Sequence, residues 1–200
     1  AATVGANTLI TSSGGNVSFG STLNSAVGLV STPATLTITA GTGDVSFVGI
    51  VGGAAYTGSD TGALGAVTLV SAKDVTLGAA FTAASLTQSA GTGLTTINGA
   101  TSLTGALSFT GTGLTVNAAV TAGGAVTIVN SGVLTNIAAG TISSTGAFSQ
   151  TGAGANSLGG NISVTGTGNA ISFAQAITLT ANVTLTSANG AVSFAKVIDK

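Results

Sequence analysis

The chain has 200 residues, of which 44% are hydrophobic and 4% charged, and its net charge is −1. Three lysines and no arginine cannot neutralise a nucleic-acid backbone, and the hydrophobic fraction excludes a disordered polymer kept open by charge. Without cysteine or histidine the chain lacks disulfides and the usual zinc ligands. No apolar run approaches the roughly 18 residues of a membrane-spanning helix, so neither nucleic acid nor membrane insertion is expected.

Short apolar–hydroxyl–apolar triplets recur along the chain and predict strands. On a strand each triplet sends two apolar side chains to one face and a hydroxyl to the other. Helix signals are missing, so essentially no helix is expected. In chain order the triplets are Val17–Phe19, Leu36–Ile38, Val45–Phe47, Val67–Leu69, Val75–Leu77, Leu107–Phe109, Val126–Ile128, Ile162–Val164, Ile177–Leu179 and Val183–Leu185.

Three features between and within these strands carry expectations of their own. Pro33 cannot donate to a strand ladder, so it predicts a loop. Residues 48–66, which hold the single tyrosine and Asp60, are predicted to protrude as a loop. Five phenylalanines follow a Val, Ile or Leu by two residues, which indicates inward, core-filling positions and not an aromatic ligand platform; they are Phe19, Phe47, Phe109, Phe173 and Phe194.

Internal repeats decide the fold class. The sequence Gly-Thr-Gly-Leu-Thr at 91–95 returns at 111–115, residues 170–174 return in similar form at 191–195, and Ser-Leu-Thr at 85–87 returns at 102–104. A period near 20 with two or three short strands fits one turn of a β-helix, whose turns stack to bury a shared interior. Parallel crossovers are nearly always right-handed. We therefore expect an all-β, right-handed parallel β-helix with about 20 residues per turn and roughly ten turns.

Residues 1–200 are predicted to form a single solenoid segment without polar caps. The opening Ala-Ala-Thr-Val-Gly and the closing stretch 194–200 are not cap-like, and the opening and closing segments both carry a Val-Ser-Phe strand. A solenoid without caps leaves strand edges unpaired. Two explanations stay open: the segment continues into further repeats of a longer chain, or separate copies stack end to end.

No catalytic, cofactor-binding or metal-ligating residue is predicted, and we expect no enzyme activity. General acid–base chemistry needs converging titratable groups, and here only Asp44, Asp60 and Asp74 could supply them, if they aligned across turns. The Gly-Thr-Gly-Asp fragment at 41–44 does not recur with its Asp as a repeated calcium site would require, and the other Gly-Thr-Gly triplets are interpreted as turns.

Two sets of polar residues leave alternatives. Asn16, Asn161 and Asn182 match the glycosylation pattern, but each stands where a strand starts, and capping or stacking on a neighbour is favoured. Threonines alternate with apolar residues at 35–39, 177–180 and 183–186, so they are consecutive on the outward side of a strand. If the turns stack, they would form a ladder of hydroxyls and methyls, as on ice-binding solenoids. The alternative is that Thr is simply a good uncharged residue for a solvated strand.

The repeated units, such as Val-Thr-Leu-Thr-Ser-Ala-Asn-Gly-Ala-Val-Ser-Phe at 183–194, resemble the β-strand repeats of large bacterial surface proteins of the filamentous haemagglutinin-like and autotransporter-passenger type. The resemblance covers essentially the whole chain. It implies an extracellular, fibrous right-handed β-helix at the bacterial cell surface, used for adhesion or as coat material. The Asn-Pro motifs of the haemagglutinin secretion domain are missing, so this is not that domain.

Two functions follow as hypotheses. The first is a non-catalytic structural segment of an extracellular fibre, filament or adhesin stalk, whose partners are itself or adjacent repeats and possibly a host or neighbouring cell surface or its glycans. The second is a binding module for ice or carbohydrate that uses a flat Thr-rich face or the loop at 48–66.

Overall fold

The computed structural model describes residues 1–26, 32–53 and 62–200, which form a parallel β-solenoid of about nine turns with about 21 residues per turn. The prediction of a stacked all-β fold with a period near 20 is confirmed, with about nine turns in place of ten. The described residues contain no helix, and therefore none long and apolar enough to cross a membrane.

The described strands are β1 (Ala2–Val4), β2 (Thr8–Thr11), β3 (Val17–Phe19), β4 (Leu23–Ser25), β5 (Leu36–Thr39), β6 (Val45–Phe47), β7 (Leu64–Ser71), β8 (Val75–Leu77), β9 (Phe81–Gln88), β10 (Leu94–Ile97), β11 (Thr101–Leu103), β12 (Leu107–Gly111), β13 (Gly113–Val116), β14 (Val120–Ala122), β15 (Val126–Asn130), β16 (Leu134–Asn136), β17 (Ile142–Ser144), β18 (Phe148–Gln150), β19 (Asn156–Leu158), β20 (Ile162–Val164), β21 (Ile171–Phe173), β22 (Ile177–Leu179), β23 (Leu185–Ser187), β24 (Val192–Phe194) and β25 (Ile198–Asp199).

Each turn contributes to three faces, and strand pairing is parallel throughout the described residues. Face A contains β1, β4, the first part of β9, β11, β14, β17, β20 and β23. Face B contains β2, β5, β7, the second part of β9, β12, β15, β18, β21 and β24. Face C is a nine-stranded sheet that runs from β3 through β6, β8, β10, β13, β16, β19 and β22 to β25. Because β9 runs through the corner between faces A and B, it joins them into one sheet, and β7 also reaches face A at its first residue, Leu64, which pairs with Ala83.

The first and third residues of most strands point into the interior, where they stack on their equivalents in the neighbouring turns. Phe47, Phe109 and Phe173 are at most 2% exposed, as predicted. Phe19 and Phe194 lie in the same inward columns at the two ends and stack on Phe47 and Phe173, with ring centroids 5.1 and 6.0 Å apart. All five therefore occupy the predicted inward positions; three are buried in the core, Phe19 is partly buried against it, and Phe194, in the last turn, is 38% exposed.

The sequence repeats correspond only partly to the turns. The repeat of 170–174 at 191–195 is in register, since Ile171 pairs with Val192 and Phe173 with Phe194. The repeat of 91–95 at 111–115 is out of register by one residue, because Thr95 pairs with Leu114. The repeat of 85–87 at 102–104 does not reflect a turn at all: Leu86 lies on face B and pairs with Leu107, whereas Leu103 lies on face A.

One predicted strand is misplaced. The triplet Val183–Leu185 is not a strand; β23 begins at Leu185, which pairs with Ile162. The reason is the corner that precedes it: the Thr184 N–H donates to Asn161 Oδ1 at 2.8 Å, and the Ile162 N–H donates to the Thr184 carbonyl at 3.1 Å. Leu185 therefore takes the first inward position, and Val183 is left at the corner.

The predicted loops differ in outcome. Pro33 lies outside any strand, between β4 and β5, as predicted. At the edges of the predicted protruding loop 48–66, Val51 forms β-bridges with Leu23 and Phe81, and β7 begins at Leu64. Both positions therefore belong to the solenoid wall and not to a protruding loop. The central part of that loop, residues 54–61 with the single tyrosine and Asp60, lies outside the described residues.

Candidate functional surface

The outward surface of face C carries a continuous column of hydroxyls. The middle residue of each three-residue strand points outward, and on this face it is Ser or Thr in eight consecutive turns. Parallel strands lie about 4.8 Å apart, so the column presents one hydroxyl at about that interval. Its members are Ser18, Ser46, Thr76, Thr96, Thr115, Thr135, Ser157 and Thr178.

Faces A and B carry similar columns. On face B the column runs through Thr37, Thr68, Thr87, Ser108, Thr127, Ser149, Ser172 and Ser193. On face A it runs through Thr82, Ser102, Thr121, Ser143, Ser163 and Thr186. The predicted ladder of hydroxyls therefore exists as three separate columns, one on each face. The predicted threonine stretches do not stack on one another, because Thr37 lies on face B, Thr178 on face C and Thr186 on face A.

Within the described residues, two of the eight hydroxyls of face C bond to each other and the other six make no hydrogen bond. At one end, Ser46 Oγ donates to Ser18 Oγ at 2.8 Å. In the centre, the hydroxyls of Thr76, Thr96, Thr115 and Thr135 have no hydrogen-bond partner within the described part of the protein. The central hydroxyls are therefore available to groups outside the chain.

The central threonines lie within a patch that mixes polar and apolar side chains. The patch comprises Leu94, Thr96, Asn98, Thr115, Asn117, Val133, Thr135 and Ile137, and none of these residues is charged. Leu94, Val133 and Ile137 are 44–49% exposed. The Asn117 amide donates to Asn98 Oδ1 at 2.8 Å, which aligns the two side chains along the solenoid. We call these eight residues the central patch of face C.

The corner that precedes face C holds the acidic residues considered for catalysis. Asn16, Asp44 and Asp74 occupy the same position in successive turns, and each side-chain oxygen accepts a backbone N–H from the next turn. The Asp44 N–H donates to Asn16 Oδ1 at 2.8 Å, and the Asp74 N–H donates to Asp44 Oδ1 at 3.3 Å. The ladder ends where the Leu94 N–H donates to Asp74 Oδ1 at 2.7 Å. We call these three residues the corner ladder.

Asp44 and Asp74 are thus aligned, and their Oδ1 atoms accept backbone hydrogen bonds. The Leu94 N–H, followed by the hydrogen bond and charge of Lys73, lowers the pKa of Asp74 below its ordinary value of 3.8. Lys73 Nζ lies 3.1 Å from Asp74 Oδ2, and the Asp74 hydrogen bond raises the pKa of Lys73 above 10.5, with the charges of Asp74 and Asp44 adding to the effect. Asp60 lies outside the described residues. The part of the chain that the structure describes contains no cluster of three metal-ligating side chains.

The capping role favoured for two of the three glycosylation-like asparagines is confirmed. Asn16 belongs to the corner ladder, and Asn161 Oδ1 accepts the Thr184 N–H at 2.8 Å. Asn7 does the same for the Thr35 N–H at 3.1 Å, on the corner before face B. Asn182 is exposed and makes no such bond in the described structure. An Asn or Asp placed just before a strand is therefore a repeated device that ties one turn to the next.

Amides inside the solenoid were missed by the sequence reasoning, which expected an interior of aliphatic residues and phenylalanine. Gln150 Nε2 donates to Asn130 Oδ1 at 2.7 Å and to the carbonyls of Gly152 and Gly154 at 3.1 and 3.2 Å. Thr95 Oγ1 donates to Gln88 Oε1 at 2.8 Å. These side chains are at most 6% exposed. From inside the solenoid, Gln150 provides hydrogen-bond donors for the glycine carbonyls of the corner between faces B and C. The available signal was a polar residue at an inward position of a triplet, as in Phe-Ser-Gln at 148–150.

The chain matches no protein-family model, no curated protein and no solved structure.

Proposed function

We propose that the chain is a non-catalytic structural segment of an extracellular fibre, filament or adhesin stalk at a bacterial cell surface. The observation that carries this proposal is the unbroken register of face C, in which nine strands pair in parallel from β3 to β25. A cross-section that repeats turn after turn is extended by adding further turns of the same kind, either from adjacent repeats or from another copy of the chain. Function then arises from length and rigidity.

Stacking and composition support this role. At about 4.8 Å per turn, nine turns make a rod about 40 Å long. Each interior strand has a hydrogen-bonded neighbour on both sides, which limits the local opening that proteases need. The surface is solvated by hydroxyls with few charges, so contacts to a host surface or its glycans would be uncharged ones.

Electron microscopy and fibre diffraction of the native material test the proposal. We expect long rods with an axial spacing of about 4.8 Å; compact particles of one chain would overturn it. A matched pair of variants separates stacking from surface effects. Val126→Asp places an unpaired charge at a fully buried position and is expected to abolish rods, whereas Thr127→Asp, outward on the same strand, is expected to leave them.

A second candidate function is surface binding to ice or carbohydrate by the central patch of face C. It is favoured by the unpartnered hydroxyls of Thr96, Thr115 and Thr135, which stand in register on a parallel sheet. Alternation of hydroxyl, amide and exposed apolar groups suits an uncharged ligand that has both hydroxyls and C–H faces.

Thermal hysteresis and glycan-binding assays distinguish the two candidates. Activity that is lost in Thr96→Lys/Thr115→Lys and kept in Ser102→Lys/Thr121→Lys, the equivalent pair of adjacent outward positions on face A, would establish the binding function. Rods that show neither activity would eliminate it and leave the structural role standing.

A further inference from the structure

The two Asn-Gly sequences of the chain, at 98–99 and 189–190, differ in a way that concerns their chemical stability. In an Asn-Gly sequence the glycine nitrogen is unhindered, because no Cβ shields it. It attacks the Asn side-chain carbonyl carbon: the N–Cγ bond forms, the Cγ–Nδ2 bond breaks, and ammonia leaves with the proton from the nitrogen. Water then opens the cyclic imide to give aspartate or isoaspartate. The reaction requires the side chain to turn toward the peptide nitrogen, and a hydrogen bond that holds either group slows it.

At Asn98 both reacting groups are held. Its Oδ1 accepts the Asn117 amide at 2.8 Å, so the side chain is fixed in the central patch of face C. The Gly99 N–H donates to the Leu77 carbonyl at 3.2 Å, and the Asn98 N–H donates to the same carbonyl at 2.8 Å. Gly99 is also packed against the backbone of Ala79, since an added Cβ would collide with the Ala79 carbonyl.

At Asn189 the side chain is not held. This residue is exposed, has no side-chain hydrogen bond in the described structure, and is the one non-glycine residue with positive φ (63°) among the described residues. A left-handed backbone is uncommon outside glycine, although Asn tolerates it. The Gly190 N–H donates to a single side chain, Ser187 Oγ, at 3.0 Å.

We propose that Asn189 is a site of spontaneous deamidation and that stacking protects Asn98 from the same reaction. The product places a carboxylate at the corner between faces A and B. In the isoaspartate form the backbone runs through the former side chain and gains an atom. This change falls between Ala188, whose carbonyl accepts the Gly168 N–H at 2.8 Å, and Gly190, which packs against the Asn169 carbonyl. The modified corner is therefore expected to loosen the pairing of β23 and β24 with the preceding turn.

The experiment compares the two sites within one molecule. The folded protein is incubated in mildly alkaline buffer, and peptide mapping by mass spectrometry follows the replacement of the amide by a carboxyl at each site. We expect Asn189 to react faster than Asn98 by on the order of tenfold, the ratio that a barrier difference of about 1.4 kcal/mol produces. In urea, where the fold is lost, the two rates should become similar. Equal rates in the folded protein, or a difference that persists in urea, would overturn the proposal.

Two variants test the contacts that are held responsible. Asn117→Ala removes the amide that fixes Asn98 and should raise the rate at Asn98 alone. Ser187→Ala removes the acceptor of the Gly190 N–H and should raise the rate at Asn189 alone. Asn189→Gln confirms the assignment of the reactive peptide, because the longer side chain cyclises far more slowly. If Asn117→Ala folds and leaves the rate at Asn98 unchanged, protection by the Asn117 amide is refuted, and equal rates at the two sites in the folded wild type would refute protection by stacking altogether.

Discussion

The residue immediately before a strand of face C has a defined task in three successive turns. Its side-chain oxygen accepts the backbone N–H of the equivalent residue one turn on, so the corner ladder adds a hydrogen bond between turns just before the strand. Asn16 and Asp44 perform this task alike. An amide serves as well as a carboxylate because only the acceptor oxygen is needed.

Asp74 allows this interpretation to be tested. Asp74→Ala removes the acceptor of the Leu94 N–H and is expected to lower the free energy of unfolding by about 1 kcal/mol. Asp74→Asn keeps an acceptor oxygen and is expected to cost less than half of that at neutral pH. Urea unfolding of the two variants measures the difference. Equal losses would show that the ion pair with Lys73, and not the backbone hydrogen bond, is what matters at this corner.

The pKa shifts at this corner predict how stability depends on pH. The pKa of Asp74 is lower in the folded state than its ordinary 3.8, so its stabilising contribution is present above that value and is lost as the pH falls through the folded pKa. The pKa of Lys73 is raised above 10.5, so its contribution is present below that value and is lost as the pH rises through the folded pKa.

Thermal unfolding checks the acid side of this profile. The Asp74 side chain is 39% exposed, and solvent screening limits its contribution to less than about 1 kcal/mol. We expect the midpoint temperature of unfolding to decrease as the pH falls below the ordinary pKa of 3.8 and through the lower folded pKa of Asp74, and the decrease to be smaller in Asp74→Asn. An identical fall in wild type and variant would contradict the assignment of this effect to Asp74.

Residue-level prediction from the sequence succeeded where a position is repeated and failed where turn length changes. Asn16 and Asn161 were predicted to cap because each precedes a recognisable triplet. The alignment of Asp44 with Asp74 was not predicted, since these residues are 30 positions apart, well beyond the period of about 20 inferred from the repeats. No local signal in the sequence indicates how many residues separate equivalent positions of successive turns.

At the scale of the element, the register of a strand matters more than its composition. The side-chain period of a strand is two, so a shift of one residue exchanges the buried and exposed faces. The two copies of Gly-Thr-Gly-Leu-Thr show this: Leu94 points outward and is 45% exposed, whereas Leu114 is 1% exposed. The first copy is held in the shifted register by Thr95, which turns inward to donate to Gln88 Oε1. The leucines of the two identical sequences therefore point to opposite sides of the sheet, because only the first copy has a buried acceptor, Gln88, in the strand that precedes it.

This pair of leucines gives a matched test of register. Leu114→Ala is expected to lower the free energy of unfolding by about 2–5 kcal/mol, since it opens a cavity in the stack. Leu94→Ala removes the same atoms from an exposed position and is expected to change it by less than about 0.5 kcal/mol. Urea unfolding measures both. Similar losses would mean that the two copies occupy equivalent positions, as the sequence repeat alone suggests.

Element prediction failed for related reasons. Strands with the pattern Val-Ser-Phe or Val-Thr-Ile were found because two apolar residues flank a hydroxyl. Strands such as β16 (Leu134–Asn136) and β19 (Asn156–Leu158) were missed because an amide fills one inward position. In the sequence alone, such an amide predicts a turn. In the folded chain it is a strand residue, because carbonyls of the next turn accept its hydrogen bonds. Asn136 Nδ2, for example, donates to the Gly160 carbonyl at 2.9 Å.

At the scale of the whole molecule, the fold follows from the inability of a single turn to bury its own apolar side chains. One turn has three short strands and no second layer, so its core is completed only by the turns above and below. The fold class was predictable for this reason: strand length, alternation and a period near 20 admit few other architectures. The number of residues per turn was less predictable, because corners vary while the three faces stay in register.

This architecture predicts that local stability varies from turn to turn along the solenoid axis and is similar on the three faces of one turn. Each turn is bound only to its neighbours, so the strands of the central turns, β10 to β16, have partners on both sides, whereas β1 to β3 and β23 to β25 border fewer turns. Native-state hydrogen exchange should therefore show the slowest exchange in the central turns on all three faces, and a decline toward both ends.

A core substitution in a central turn refines this prediction. Val126→Ala, at a fully buried position of face B, should accelerate exchange most in its own turn and in the two turns adjacent to it, and progressively less beyond, because coupling passes between nearest neighbours. Thr127→Ala, outward on the same strand, is the control and should leave the pattern unchanged. Exchange that rises along the whole of face B but not on faces A and C would contradict turn-by-turn coupling, since it would mean that a face opens as a sheet while the rest of the solenoid stays closed.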